Sequence, residues 1–146
     1  VTTFHASCAA RREPDGGFSA VLLRGPAGSG KSDLLLRLLS AGFTLVADDQ
    51  VMVEHGMASA VPALAGILEV RGLGLFRLPF VAAAPVRLVV RLGIAPVRLP
   101  EPELDEALGV PVVTIDPALA SAPDRVALAL DAARGRVKQV AGAFAA

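Results

Sequence analysis

The chain has no tryptophan, no tyrosine and few phenylalanines. Over half of its residues are nevertheless hydrophobic, chiefly alanine, valine and leucine. That composition excludes a disordered chain and suits a buried aliphatic sheet flanked by helices. An excess of charge is also missing. The 14 Lys and Arg balance 14 Asp and Glu, and no Lys/Arg cluster marks a nucleic-acid footprint. Apolar runs are broken by Pro, Gly or Arg well before the ~18 residues that suggest a membrane span. The single cysteine, Cys8, excludes an internal disulfide, and no Cys/His spacing resembles a metal site. No basic segment followed by an apolar stretch opens the sequence, so nothing reads as a secretory leader. A reduced, cytoplasmic setting is expected. The 146 residues are read as one domain, 1–146, with a substantial core.

What is present alternates between strand and helix patterns. Phe4 to Ala10 reads as a strand carrying His5, and Arg11 to Gly17 as a turn around Asp15-Gly16. Phe18 to Leu23 is a buried strand entering Gly25. Lys31 to Ser40 is a helix, apolar over most of its circumference, which Gly42 ends in a left-handed cap. Thr44 to Ala47 forms the next strand, and Val51 to Val53 with Met57 to Val61 a hairpin. A brief helix is expected over Ala63 to Leu68. Val86 to Leu92 and Gly109 to Ile115 read as strands, and Asp124 to Arg134 as an amphipathic helix. This order indicates an α/β domain.

The first chemical signal is Gly25-Pro26-Ala27-Gly28-Ser29-Gly30-Lys31-Ser32, a full match to G-x-x-x-x-G-K-[ST]. Gly28 and Gly30 let successive N–H groups converge on phosphate oxygens, and the following helix adds its positive end. Lys31 neutralises phosphate charge, and the Ser32 hydroxyl is a ligand for Mg²⁺. The apolar strand before the loop and the helix after it are the context that the motif requires. Kinases, GTPases and ATPases share it, so the loop alone does not name a reaction.

Asp48 and Asp49 supply the second signal. If the strands on either side of the helix are parallel and joined by a right-handed crossover, both loops leave the same rim of the sheet. One carboxylate can then hold Mg²⁺ while the other accepts a proton from an attacking hydroxyl. The competing reading is a solvated turn after a strand.

Three stretches resemble the HPr kinase/phosphorylases of bacterial phosphotransferase systems. They are "GPAGSGKSDLLLRLLSAGFTLVADDQV" (Gly25 to Val51), "ASAVPALAGILEVRGLGL" (Ala58 to Leu75) and, more weakly, "LGVPVVTIDPALASAPDRVALALDAARG" (Leu108 to Gly135). The resemblance implies a P-loop-containing kinase core, a mixed sheet flanked by helices like the family's C-terminal domain. It implies ATP and Mg²⁺ as cofactors and a serine of HPr as phosphoryl acceptor, with phosphorolysis of phosphoserine as the reverse. Asp48 would be the proton acceptor, with Lys31 and Arg71 also in the catalytic set. Asp49 and Glu69 would join Ser32 around the metal. His5 and Arg125 would touch phosphate or the partner protein, and a homo-oligomer, a hexamer by family likeness, is implied. Two departures stand out: Ala6 replaces the family's glycine after the histidine, and the late "PGRN" loop reads Pro123-Asp124-Arg125-Val126. A nucleotide-binding regulator without turnover and a small-molecule P-loop kinase remain as alternatives.

Overall fold

The structure, a computed structural model, describes residues 1–145. Its strands are β1 (Thr2–Arg12), β2 (Phe18–Arg24), β3 (Thr44–Ala47), β4 (Gln50–Glu54), β5 (Met57–Ala60), β6 (Ile67–Val70), β7 (Gly74–Arg77), β8 (Ala84–Leu92) and β9 (Val112–Ile115). Helix α1 spans Lys31–Ser40 and α2 spans Ala122–Ala133.

β1 organises the sheet. One edge of it pairs antiparallel with β2, from Ala6 opposite Arg24 to Arg12 opposite Phe18. The other edge pairs first with β3 and then with β4, both antiparallel. β4 and β5 form a hairpin whose turn places His55 and Gly56 at positive φ, the backbone that a tight two-residue turn demands. β8 then pairs antiparallel with β5 through its start and parallel with β2 through the rest. The pairings β2–β1–β4–β5–β8–β2 therefore close a ring, and β9 extends it in parallel from β8.

Period-2 alternation divides the strands between two cores. Ala9, Val21, Leu23, Leu88 and Val90 face α1 and α2, whose Leu34, Leu35, Leu38, Val126 and Leu130 are buried against them. Phe4, Ala6, Cys8, Ala10, Ala20 and Leu22 turn the other way, onto Val51, Val53 and Ala58 of the β4–β5 hairpin. Each fully buried leucine is worth roughly 1.5–3 kcal/mol, so α1 is held by burial far more than by its intrinsic propensity.

Most expected elements are present, and two readings need correction. The strands flanking α1 are parallel in direction but not neighbours, because β1 lies between them. The brief helix expected over Ala63 to Leu68 is a single 3-10 turn, Pro62–Leu64, after which Ile67 and Leu68 already belong to β6. Gly66 forces that change. Its φ is +75°, and a Cβ there would lie 2.9 Å from Phe80 and 3.0 Å from the Leu78 carbonyl. β6 and β7 form a separate two-stranded ribbon instead. Among the described residues no helix is long and apolar enough to cross a membrane.

Candidate functional site

The strand pairing brings the site together. β2 ends at Arg24, opposite Ala6, so the loop from Gly25 to Ser32 starts beside His5. On the other edge of β1, Cys8 faces Ala47 and His5 faces Gln50. Asp48 and Asp49 lie between these pairs, opposite Ser7 and Ala6. They do not end the ladder: the Ala6 N–H still reaches the Asp49 carbonyl at 3.2 Å, and the chain continues into β4 along the same edge. The aspartates form a kink within one line of pairing, with Asp49 at φ +68°, a conformation that aspartate tolerates better than most residues. The two loops do share one rim, as the sequence suggested, but β1 lies between their strands, and the solvated turn is not what forms. Both carboxylates still reach the phosphate loop, through the interposed β1.

α1 begins without a side-chain cap, its N-cap being Gly30 at φ +100°. Among the described residues, no backbone carbonyl takes the N–H groups of Gly28, Gly30, Lys31 or Ser32 outside the helix. A helix start normally satisfies such donors with a Ser, Thr, Asp or Asn cap, worth about 1 kcal/mol. Left free, they suit an anion. Gly25 is required for space, since a Cβ there would fall 2.5 Å from Ser29 Oγ and 3.3 Å from Leu92 Cβ. Lys31 is buried and its Nζ donates to the carbonyls of Gly25 (2.6 Å) and Pro26 (3.0 Å), which holds the ammonium across the loop.

Asp48 is the hub. The Ser7 hydroxyl donates to its Oδ1 at 2.6 Å, and the Ser32 hydroxyl lies 3.1 Å from both carboxylate oxygens. Asp49 turns outward, and His5 Nδ1 lies 3.4 Å from its Oδ1, with both side chains more than half exposed. Solvent screening makes that pair a weak tether. Glu69 is an exposed residue within β6, and Arg71, just past the strand's end at Val70, opens the ribbon turn. They form no ion pair with each other among the described residues. His5, Ser7, Gly28, Gly30, Lys31, Ser32, Asp48, Asp49, Glu69 and Arg71 all line one cleft of ≈ 660 Å³.

Arg125 does not join them. It sits on α2, its Nε donates to Ser121 Oγ at 2.8 Å, and it lines a separate cavity. Ser7 was missed from the sequence, although the signal was there. A serine in the apolar run Ala6 to Ala10, two residues from His5, falls on the same strand face as the histidine and needs a buried partner.

The cleft suits Mg²⁺ bound together with phosphate better than a metal chelated by protein alone. Among the described residues no group of three His, Cys, Asp or Glu side chains is placed to hold an ion. Mg²⁺ characteristically uses one or two carboxylates with substrate phosphates and water. Ser32, Asp49 and Glu69 on the walls of one cleft, beside a free helix N-terminus, fit that pattern.

Residues 18–81 match the family model described as the HPr Serine kinase C-terminal domain. The HPr kinase/phosphorylases of Burkholderia cenocepacia (strain HI2424) and Paraburkholderia phymatum are each 33% identical over 139 residues, covering 84% of this chain and 43% of theirs. The chain thus spans less than half the length of these curated relatives. The structure of the Hpr(Ser) kinase/phosphatase from Coxiella burnetii superimposes with a TM-score of 0.70 at 24% identity, over 93% of this chain and 98% of that one. That match speaks to the fold alone.

Proposed function

From the premise that this chain belongs to the HPr kinase family over its C-terminal catalytic domain, we propose that it is an ATP- and Mg²⁺-dependent protein-serine kinase. Its acceptor is a serine of a phosphocarrier like the HPr in its relatives' names. The observation that carries this reading is Asp48, held by two hydroxyls at the mouth of a free helix N-terminus. A carboxylate held there can take the proton of an attacking hydroxyl, which the transfer of a phosphoryl group to serine requires.

In this reading the N–H groups of Gly28, Gly30, Lys31 and Ser32, with the Lys31 ammonium, take the phosphates of ATP. Asp48 accepts the proton of the incoming serine hydroxyl, a contribution of about 10²–10⁴ in rate. Ser7 aims the carboxylate. Ser32, Asp49 and Glu69 are the residues that would hold Mg²⁺, which supplies charge neutralisation on the phosphates. Arg71, across the cleft, offsets charge on the transferred group, and His5 orients Asp49. The Gly66-anchored ribbon carries Glu69 and Arg71 over the opening, where Leu73 and Leu75 are exposed. In phosphorolysis inorganic phosphate, in the place of ADP, attacks the phosphoserine phosphorus. The P–O bond to serine breaks, pyrophosphate forms, and Asp48 returns the proton to the serine oxygen. One domain over 1–146, assembly into a hexamer and a cytoplasmic setting complete the proposal.

The test is transfer of label from γ-labelled ATP to purified HPr in the presence of Mg²⁺, followed by mapping of the modified residue. Label on a serine that vanishes with Lys31→Ala supports the assignment. ATP binding with no transfer to HPr, or transfer to a metabolite instead, would replace it with one of the two alternatives.

A further inference from the structure

The second cavity lies on the far side of the phosphate loop from Asp48. We infer that it receives the adenine and ribose of the ATP whose phosphates occupy the loop. This rests on the phosphate-loop reading above and extends it to a part of the molecule outside the loop and its aspartates.

The sheet fixes the location. β8 and β9 run parallel to β2, so their carboxyl ends share its rim, where ligands of α/β sheets gather. The loops leaving them touch the phosphate loop. Leu92 Cβ lies 3.3 Å from the position of a Cβ on Gly25, and the Pro117 side chain 3.4 Å from that on Gly30. Arg37 of α1 donates to the carbonyls of Pro117 (2.6 Å) and Leu119 (3.3 Å), which fastens the β9–α2 connection against the helix that carries the loop.

Direction follows from charge. Asp48 lies on the β1 side of β2, and β8 and β9 lie on the other. A triphosphate with its transferred group towards Asp48 must leave its nucleoside on the β8–β9 side. There the structure has a cavity of ≈ 400 Å³, within the range of a small-ligand site.

The lining has the chemistry of a base site. Ile94 is 84% exposed and Leu99 58%, two aliphatic side chains held in solvent at the mouth of the cavity, with the Phe144 ring beside them. Gln139 accepts the Phe144 N–H on its Oε1 at 2.6 Å, which closes the turn and leaves the Nε2 hydrogens as the donors it presents. Asp116 and Arg125 add an acceptor and a cation. Apolar faces for a ring and a few polar groups for its edge and the ribose are what a nucleoside requires.

Equilibrium binding of ATP and of tripolyphosphate, each with Mg²⁺, to the full chain tests this. Phe144→Ala should weaken ATP by about 5- to 100-fold, the range of one lost base–aromatic stack, while tripolyphosphate affinity stays within about twofold. Ile94→Ser, at a site too exposed to threaten the fold, should weaken ATP selectively in the same direction. Lys31→Ala should weaken both ligands. ATP binding untouched by both cavity variants, or ATP and tripolyphosphate weakened equally, overturns the inference. So does a wild-type chain that binds tripolyphosphate as tightly as ATP, a result that leaves the phosphate loop standing. A wild-type chain that binds neither overturns the phosphate-loop reading itself and this inference with it.

Discussion

Removing the Ser7 hydroxyl should reveal how firmly Asp48 is held. Ser7 is fully buried and donates to Asp48 Oδ1 at 2.6 Å. A hydrogen bond to a charged group contributes about 1.5–3 kcal/mol to stability. Asp48 is only half-buried and keeps the Ser32 hydroxyl, so water in the cleft compensates part of the loss. The expected cost of Ser7→Ala is therefore about 1–2 kcal/mol by urea unfolding. In a chain of this size that corresponds to a fall in Tm of about 2–8 °C. Because Asp48→Ala alone already breaks the bond, the double variant should be more stable than the sum of single effects predicts, by about 1 kcal/mol. Distant sites add to within about 0.3–0.5 kcal/mol, so the coupling is measurable. In turnover, Ser7→Ala should lower kcat with little change in ATP affinity, and Ser7→Thr, which keeps the hydroxyl, should recover most of it. Strict additivity of the two unfolding energies, or a thermal shift within error of zero, would refute the hub role given to Asp48.

Other outcomes follow from the same physics. Gly66→Ala should destabilise by about 1–3 kcal/mol, through the contact with Phe80 and the positive φ, and should reduce turnover more than ATP affinity, as read by paired unfolding and kinetic assays. Glu13, buried at the end of β1 and ion-paired with Arg11, Arg134 and Arg136, should cost about 3–5 kcal/mol when changed to Ala. That loss should be largest in the attachment of the chain after α2, where hydrogen exchange would register it. Burial pushes the Cys8 thiol far above its ordinary range. It should therefore resist iodoacetamide in the folded protein and react only on unfolding. The sign for stability follows: the thiol ionises more readily in the unfolded chain, so folding free energy should decline as the pH climbs past the ordinary thiol range.

Local signals carried much of the fold. The helix over Lys31 to Ser40 was legible because its leucines mark a buried face and Gly42 its end, and α1 has the bounds expected. The β4–β5 hairpin was legible from His55-Gly56, the pair that supplies both positive φ angles. Pairing between distant strands was not. Nothing in Thr2 to Arg12 says that this strand inserts between β2 and β3, because a central strand covered on both faces is a near-continuous apolar run whichever way its neighbours point. The site suffered accordingly: its loop and aspartates could be read as motifs, whereas Ser7 becomes functional only through a neighbour 41 residues away. Gly66 reads as part of a brief helix and is instead a packing requirement. Arg125 was assigned by its place in a motif outline, and α2 turns it towards the second cavity. The cavity itself is assembled from the loop after β8, β9, α2 and the segment after Arg136, whose meeting no local pattern announces.

The central claim is that Asp48 takes the serine proton while other groups hold ATP. It is tested most directly by Asp48→Asn, a nearly isosteric change that removes the base and keeps a hydrogen-bonding partner for Ser7 and Ser32. Titration with Mg²⁺–ATP should give an affinity within a few fold of wild type, and single-turnover transfer to HPr should fall by about 10²–10⁴. Transfer at the wild-type rate by a folded, ATP-binding Asp48→Asn variant would contradict the account.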